Sequence, residues 1–140
     1  IFEELKKLFL KSSRPSVGFE LIRQLGILKY CPELNALIGC IQDKEYHPEG
    51  DVWIHTMMCL DELARIIKEE KIDDEYKKLY LFYSVLCHDL GKPYCTQEIN
   101  GKITSYKHEV LGIEPTISFL SKLTNEKKFI DIVCSLVKSH

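Results

Sequence analysis

Apolar residues recur at intervals of three and four along most of the chain, the spacing of helices that bury one side. In the opening IFEELKKLFLK, Phe2, Leu5, Leu8 and Phe9 form one stripe. SSRPS interrupts it, and Ser16 is placed to cap a second helix, VGFELIRQLG, which Gly26 ends. Pro32 starts a shorter helix, PELNALIG, closed by Gly39. The polar run IQDKEYHPEGD, punctuated by Pro48 and Gly50, predicts a loop. Asp51 then caps VWIHTMMCLDELARIIKEE, and Asp73 or Asp74 begins a helix running from Tyr76 to Leu90. In QEINGKITSYKH, Asn100-Gly101 is a strong turn signal, compatible with a small hairpin near residues 97–106. EVLGIEPTISFLSKL and NEKKFIDIVCSLVKSH complete the set, with Pro115 either kinking the former or marking a late start. The pattern is all-α, a bundle of roughly six or seven helices, without internal repeats or a glycine-rich phosphate loop.

Composition narrows the class. A chain of 140 residues, 45% of them hydrophobic, is long enough to bury a core as one compact domain. A net charge of -2 argues against a broadly basic surface that coats nucleic acid, while leaving room for local basic patches. No apolar run approaches the roughly 20 residues that cross a bilayer, so no membrane partner is expected. The opening is amphipathic rather than a secretory signal. Ile1 in place of Met suggests a domain cut from a longer chain, or processing of the start. Six cysteines (Cys31, Cys40, Cys59, Cys87, Cys95, Cys134) form no CxxC pair and sit mostly in apolar helical contexts. They read as reduced core thiols in a cytoplasmic protein.

The chemistry concentrates at the histidines. LYLFYSVLCHDLGKPY is an apolar run that ends on His88-Asp89, and burying an imidazole and a carboxylate is costly unless a partner receives them. His88 lines up with Leu81, Ser84 and Val85 on what should be a buried side, and Asp89 stands about 100° further round. His55 shares a face with Met58, Cys59 and Glu62, which predicts that this face turns inward. His108 opens the next helix with Gly112 one turn on, where a missing side chain permits close approach of another helix. His140 continues the apolar face set by Phe129, Val133, Leu136 and Val137; Asp131, half a turn round, should meet solvent. His47, in the loop YHPEGD, suits a supporting or substrate-orienting role better than direct ligation. Cys59 and Cys87 read as packing residues. Imidazoles meeting a carboxylate make a hard N/O site, favouring Mn, Fe, Co, Ni or Mg over a thiolate-type zinc.

These residues carry a resemblance. His55, then His88-Asp89 followed by Gly91-Lys92, resembles the HD-domain metal-dependent phosphohydrolase superfamily, and His108 and His140 resemble its subset with extra histidines and two metals. RPSVGFELIRQLGIL, YHPEGDVWIHT, LCHDLGKP, KHEVLG and LVKSH are similar to the segment after the catalytic head in bacterial tRNA nucleotidyltransferases that add CCA, with parts shared by poly(A) polymerase relatives. The resemblance implies an HD-domain helical bundle, with residues 1–46 as helices joining an absent head domain and 47–140 as the metal-binding core. It implies metal ligands His55, His88, Asp89, His108 and His140, with Asp89 bridging two ions and Asp89, His88 and Lys92 as the catalytic group. The superfamily's last ligand, a late Asp, would fall beyond His140, and Pro115 stands where relatives keep an uninterrupted helix.

Three functions follow from that resemblance. One is hydrolysis of a phosphoester or nucleotide, of the 2′,3′-cyclic phosphodiesterase or phosphatase type, with Lys92 and also Arg14 or Lys107 meeting the phosphate. Another is a non-catalytic scaffold that touches tRNA within the parent enzyme, through patches such as residues 76–78 and 126–128. A nucleotide-sensing module ranks third. No glycine-serine strand motif or paired aspartates of a polymerising head are present, so the chain is not expected to add CCA by itself.

Overall fold

Two aspartates start the central helices. In the computed structural model, which describes residues 2–105 and 107–140, Asp51 accepts the Ile54 N–H at 2.9 Å and so begins α4, Val52–Glu69. Its other oxygen accepts the Gly39 N–H at 2.8 Å, tying the helix to the turn that precedes the loop. Asp74 does the same for α5, Glu75–Cys87, through the Lys77 N–H at 3.0 Å. Ile1, Tyr106 and the Phe2 side chain, named in the stripe and hairpin readings above, lie outside the described residues.

The remaining elements wrap this pair. α1 (Phe2–Lys11) and α2 (Pro15–Gln24) lead through a 3-10 turn at Ile27–Tyr30 to α3 (Pro32–Asn35). After α5 come a single turn, α6 (Lys92–Cys95), and a hairpin of β1 (Gln97–Ile99) and β2 (Lys102–Thr104). α7 (His108–Leu111), α8 (Ile113–Ser121) and α9 (Lys127–Ser139) complete an all-helical bundle, its longer helices α1, α2, α4, α5, α8 and α9 joined through the single turns α3, α6 and α7, with one small antiparallel hairpin.

One side of α4 is buried: Trp53, Met57, Leu60, Ala64 and Ile67 pack against α2 and α5. Phe9 of α1 stacks on Phe82 of α5 with ring centroids 4.9 Å apart, and meets Tyr83 edge-on at 5.1 Å. Phe129, Val133 and Val137 close the core from α9. Each such side chain contributes about 1.5–3 kcal/mol of transfer free energy. Leu136, assigned above to the same face, is 38% exposed instead.

Several boundaries moved, each for a local reason. Ser16 does not cap α2, which already begins at Pro15. Asp61 of α4 supplies the cap across space, accepting the Ser16 N–H at 2.9 Å and its hydroxyl at 2.6 Å. The helix from Pro32 lasts one turn, and α5 ends at Cys87, leaving His88 and Asp89 in the turn beyond it. Asn100 and Gly101 both take positive φ, 52° and 76°, as a two-residue hairpin turn requires. Pro115 marks a late start: the chain breaks at Gly112, and Pro115 sits in the first turn of α8, where no intrahelical N–H bond is lost.

One close approach positions the site. A Cβ on Gly91 would fall 2.0 Å from the His108 carbonyl oxygen and 2.6 Å from the Gly112 nitrogen. The backbone after Asp89 therefore lies directly against α7, and only glycine fits there.

Candidate metal centre

Four imidazoles point at one buried carboxylate. Asp89 is 2% exposed. His88 Nε2 lies 3.1 Å and His55 Nε2 3.7 Å from its Oδ2; His108 Nε2 lies 3.3 Å and His140 Nε2 3.8 Å from its Oδ1. The two oxygens thus face two separate pairs of rings. His55 comes from the first turn of α4, His88 from the end of α5, His108 from the start of α7 and His140 from the residue after α9.

Each ring is oriented through its other nitrogen. Nδ1 of His88 meets the Val85 carbonyl at 2.5 Å, that of His108 the Ser105 carbonyl at 2.9 Å, and that of His140 the Val137 carbonyl at 2.5 Å. A carbonyl only accepts, so Nδ1 carries a proton, and Nε2 presents a lone pair whenever its ring is neutral; His108 Nε2 and His140 Nε2 share a hydrogen bond at 3.1 Å, so one of those two holds a second proton. For His55 the acceptor is Glu49, 2.9 Å from Nδ1. Glu49 also holds His47 Nδ1 at 3.2 Å, and the His47 ring stands edge-on to His55 with centroids 5.0 Å apart. His47 therefore supports His55 rather than facing Asp89.

Lone pairs converging on a carboxylate repel unless positive charge lies among them. Some is supplied by Lys92, whose ammonium is 3.1 Å from Asp89 Oδ2 and donates to Gln42 Oε1 at 2.7 Å. Burial pushes the Asp89 carboxyl up, but His108, His140 and His88 outweigh it and hold it well below the usual carboxylate range. Asp89 in turn raises His108 and His140, whereas burial lowers His55 despite Glu49. Oδ2 nevertheless has no aligned hydrogen bond. A buried carboxylate oxygen without one, ringed by imidazole nitrogens that can shed their protons to an incoming ion, is a donor set that fits a divalent cation.

The expected inward face of α4 needs correction. Met58 is 54% exposed, Glu62 is exposed and Cys59 half-buried, so this side of the helix borders an open groove of about 530 Å³ with Leu63, Ile66 and Val85. His88, with Leu81, Ser84 and Val85, is likewise half-buried. Cys87 packs fully in the core, but Cys59 does not; its Sγ lies 3.5 Å from His55 Nε2. Asp131 is exposed, as its position half a turn from His140 predicts. Arg14 engages Asp61 at 3.4 Å rather than the imidazole cluster, and Lys107 is exposed at the start of α7.

Sequence reasoning missed Glu49, Gln42 and the orientation of Cys59. Glu49 had a signal, an acid two positions from His47; Cys59 had another, its place one helical turn from His55. Gln42 had none, because its partner is 50 residues away. A cavity of about 250 Å³ opens beside Lys92 and His108, bordered by Gln42, Tyr46, His47 and Ser105. The larger cleft, about 680 Å³, lies elsewhere, between α1, α4 and α5, and carries Lys11, Arg65, Lys68, Lys71 and Lys78 around Phe9 and Phe82. No described helix is long and apolar enough to cross a membrane.

Known proteins resemble this chain over most of its length. It is 33% identical over 138 residues to the Multifunctional CCA protein of Mannheimia succiniciproducens, an alignment covering 96% of the chain and 31% of that relative. The corresponding protein of Actinobacillus pleuropneumoniae serotype 5b is 31% identical over 137 residues, covering 95% and 31%. That of Laribacter hongkongensis is 32% identical over 141 residues, covering 100% and 32%. The chain spans about a third of the length of the curated relatives it matches. Residues 1–38 match a family described as "Probable RNA and SrmB- binding site of polymerase A". No solved structure matches the chain. The chain is homologous to a domain-sized segment of the multifunctional CCA proteins.

Proposed function

We propose that this chain is the HD-type portion of a tRNA nucleotidyltransferase and acts, at the Asp89 cluster, as a divalent-metal-dependent phosphohydrolase. One observation carries the reading: two pairs of imidazoles face the two oxygens of a single buried carboxylate. His55, His88 and Oδ2 would hold one ion, His108, His140 and Oδ1 a second. A divalent ion bound there lowers the pKa of a coordinated water and neutralises charge on phosphoryl oxygens.

The chain's own groups do the rest. Lys92, buried beside Asp89, offers an ammonium to a phosphoryl oxygen. Gln42 aims that ammonium. The adjoining cavity of about 250 Å³ suits a small phosphoester, such as a 2′,3′-cyclic nucleotide end, better than a duplex. Val85, Ser105 and Val137 carbonyls and the Glu49 carboxylate keep the rings turned toward Asp89.

Metal analysis of the purified chain, followed by hydrolysis of bis-p-nitrophenyl phosphate and 2′,3′-cyclic AMP with added Ni, Mn or Co, tests this reading. Turnover that needs the metal and vanishes in Asp89→Ala supports it. A folded chain with no metal uptake and no turnover supports a second reading instead, an RNA-contacting scaffold of the parent enzyme. That reading draws on the residue 1–38 match and on the five cations around the larger cleft. In either case CCA addition would belong to another part of the parent protein.

A further inference from the structure

The two halves of the Asp89 cluster do not carry the same atoms. Cys59 follows His55 by four residues on α4, one helical turn along the same face. Its Sγ lies 3.5 Å from His55 Nε2, and Sγ and one ring nitrogen each of His55 and His88 lie within 4.8 Å of one another. Asp89 Oδ2, buried, lies 3.7 Å from His55 Nε2 and 3.1 Å from His88 Nε2, with the Lys92 ammonium also 3.1 Å from it. Around a tetrahedral zinc with bonds of about 2.0–2.3 Å, neighbouring donors stand roughly 3.3–3.8 Å apart. The Cys59–His55, His55–Asp89 and His88–Asp89 separations, 3.5, 3.7 and 3.1 Å, lie close to that range. Opposite, the cluster of Asp89, His108 and His140 offers only nitrogen and oxygen.

We infer that Cys59 is a fourth ligand, joining His55, His88 and Asp89 Oδ2 in a zinc-type position, while His108, His140 and Oδ1 form a harder N/O position. The inference rests on the metal-site reading above and goes beyond it by making the centre asymmetric. It also replaces the expectation of a purely N/O site and of Cys59 as a packing residue. Softness explains the selectivity: thiolate donors favour Zn over Mg or Mn, and imidazole with carboxylate tolerates all of them. On binding, the Cys59 S–H bond is replaced by a sulfur–metal bond and one proton leaves to solvent. No electron is transferred. The competing explanation is an S–H donor resting on the His55 ring, which needs no metal.

Anaerobic titration of the chain with Co²⁺ separates the two. Expected is a thiolate-to-cobalt charge-transfer band in the near ultraviolet as the first ion binds. Cys59→Ser should remove that band yet retain cobalt at the His108–His140 position. The same variant should lose at least about tenfold in Zn²⁺ affinity with Mn²⁺ affinity little changed. X-ray absorption of the zinc-loaded native chain should show one sulfur at about 2.3 Å, a readout that does not depend on the variant folding. Cobalt uptake without the band, or a band that survives Cys59→Ser, overturns the Cys59 assignment and leaves the metal-dependent hydrolase standing. No cobalt uptake at all overturns both.

Discussion

The imidazole pair on α4 and α5 and the pair on α7 and α9 reach the same carboxylate by different means. His55 rides on a helix of 18 residues and His88 directly follows one of 13, and the opposite faces of these helices are locked by Trp53, Leu60, Leu86 and Cys87, all fully buried. His108 stands on a four-residue helix held by backbone contact with Gly91, and His140 follows the end of α9. Side-chain burial places the first pair and, through Phe129, Val133 and Val137 of α9, His140; backbone proximity places His108. Burial is distributed over many contacts and yields gradually. A backbone contact at a glycine either fits or does not.

Truncating the core under the first pair is the heaviest test of that contrast. Leu60→Ala, on the buried side of α4, should cost about 2–5 kcal/mol in urea or thermal unfolding. Below its lowered midpoint the variant should still bind two ions, because neighbouring contacts keep α4 in place. Selective loss of the His55–His88 position with little change in stability would show that burial is not what positions it.

Gly91→Ala attacks the other pair through His108. The added methyl meets the His108 carbonyl and the Gly112 nitrogen, neither the movable end of a side chain, so α7 must shift. Overpacking of this kind costs about 1–3 kcal/mol, less than Leu60→Ala. Its effect on the site should be larger: cobalt stoichiometry should fall from two toward one, with the thiolate band of the first position retained. Equal loss at both positions would contradict the division.

The same contrast explains what was legible beforehand. Periodicity revealed α4, α5 and α9, the cap candidates Asp51 and Asp73 or Asp74 marked where two helices begin, and Asn100-Gly101 marked the hairpin, because each depends on neighbours in sequence. The set of histidines with Asp89 came from the family resemblance rather than from periodicity. Legibility failed where a partner came from far along the chain. Asp61 caps α2 from 45 residues away, and Gln42 meets Lys92 across 50. The HDLGKP stop concealed the turn α6, since Pro93 is acceptable at the start of a helix. Helical spacing put His55 and Cys59 on one face, but no wheel reveals whether that face meets core or groove. Val85 and the groove beside it decide that.

Glu49→Ala sharpens the comparison at the level of a single ring. It leaves Nδ1 of both His55 and His47 without their shared carboxylate, while His88, His108 and His140 keep their carbonyl partners. Such outer partners typically contribute about 10–100-fold in metal affinity. The loss should appear at the thiolate-bearing position alone in a cobalt titration. Thermal stability should change by less than about 1 kcal/mol, because Glu49 lies in a loop and is only half-buried.

The smallest effect concerns how α8, the neighbour of α7, is anchored. Glu33 of α3 is 8% exposed and accepts Lys122 Nζ at 2.9 and 2.8 Å and the Ser118 hydroxyl at 2.9 Å. Burial pushes its carboxyl up, but Lys122 and Ser118 outweigh burial and leave it below its ordinary value. A carboxyl depressed by folding stabilises fully above its unfolded value, about 4.3, and that contribution is lost as pH falls through the lower folded value. Glu33→Gln should therefore cost about 1 kcal/mol near neutrality, the exposed Lys122 side chain limiting the loss by keeping its hydration. The gap in unfolding midpoint between native chain and variant should narrow below that unfolded value and close as Glu33 itself protonates. A gap independent of pH would mean that Glu33 acts through shape rather than charge, leaving α8 and the His108 turn held by packing alone.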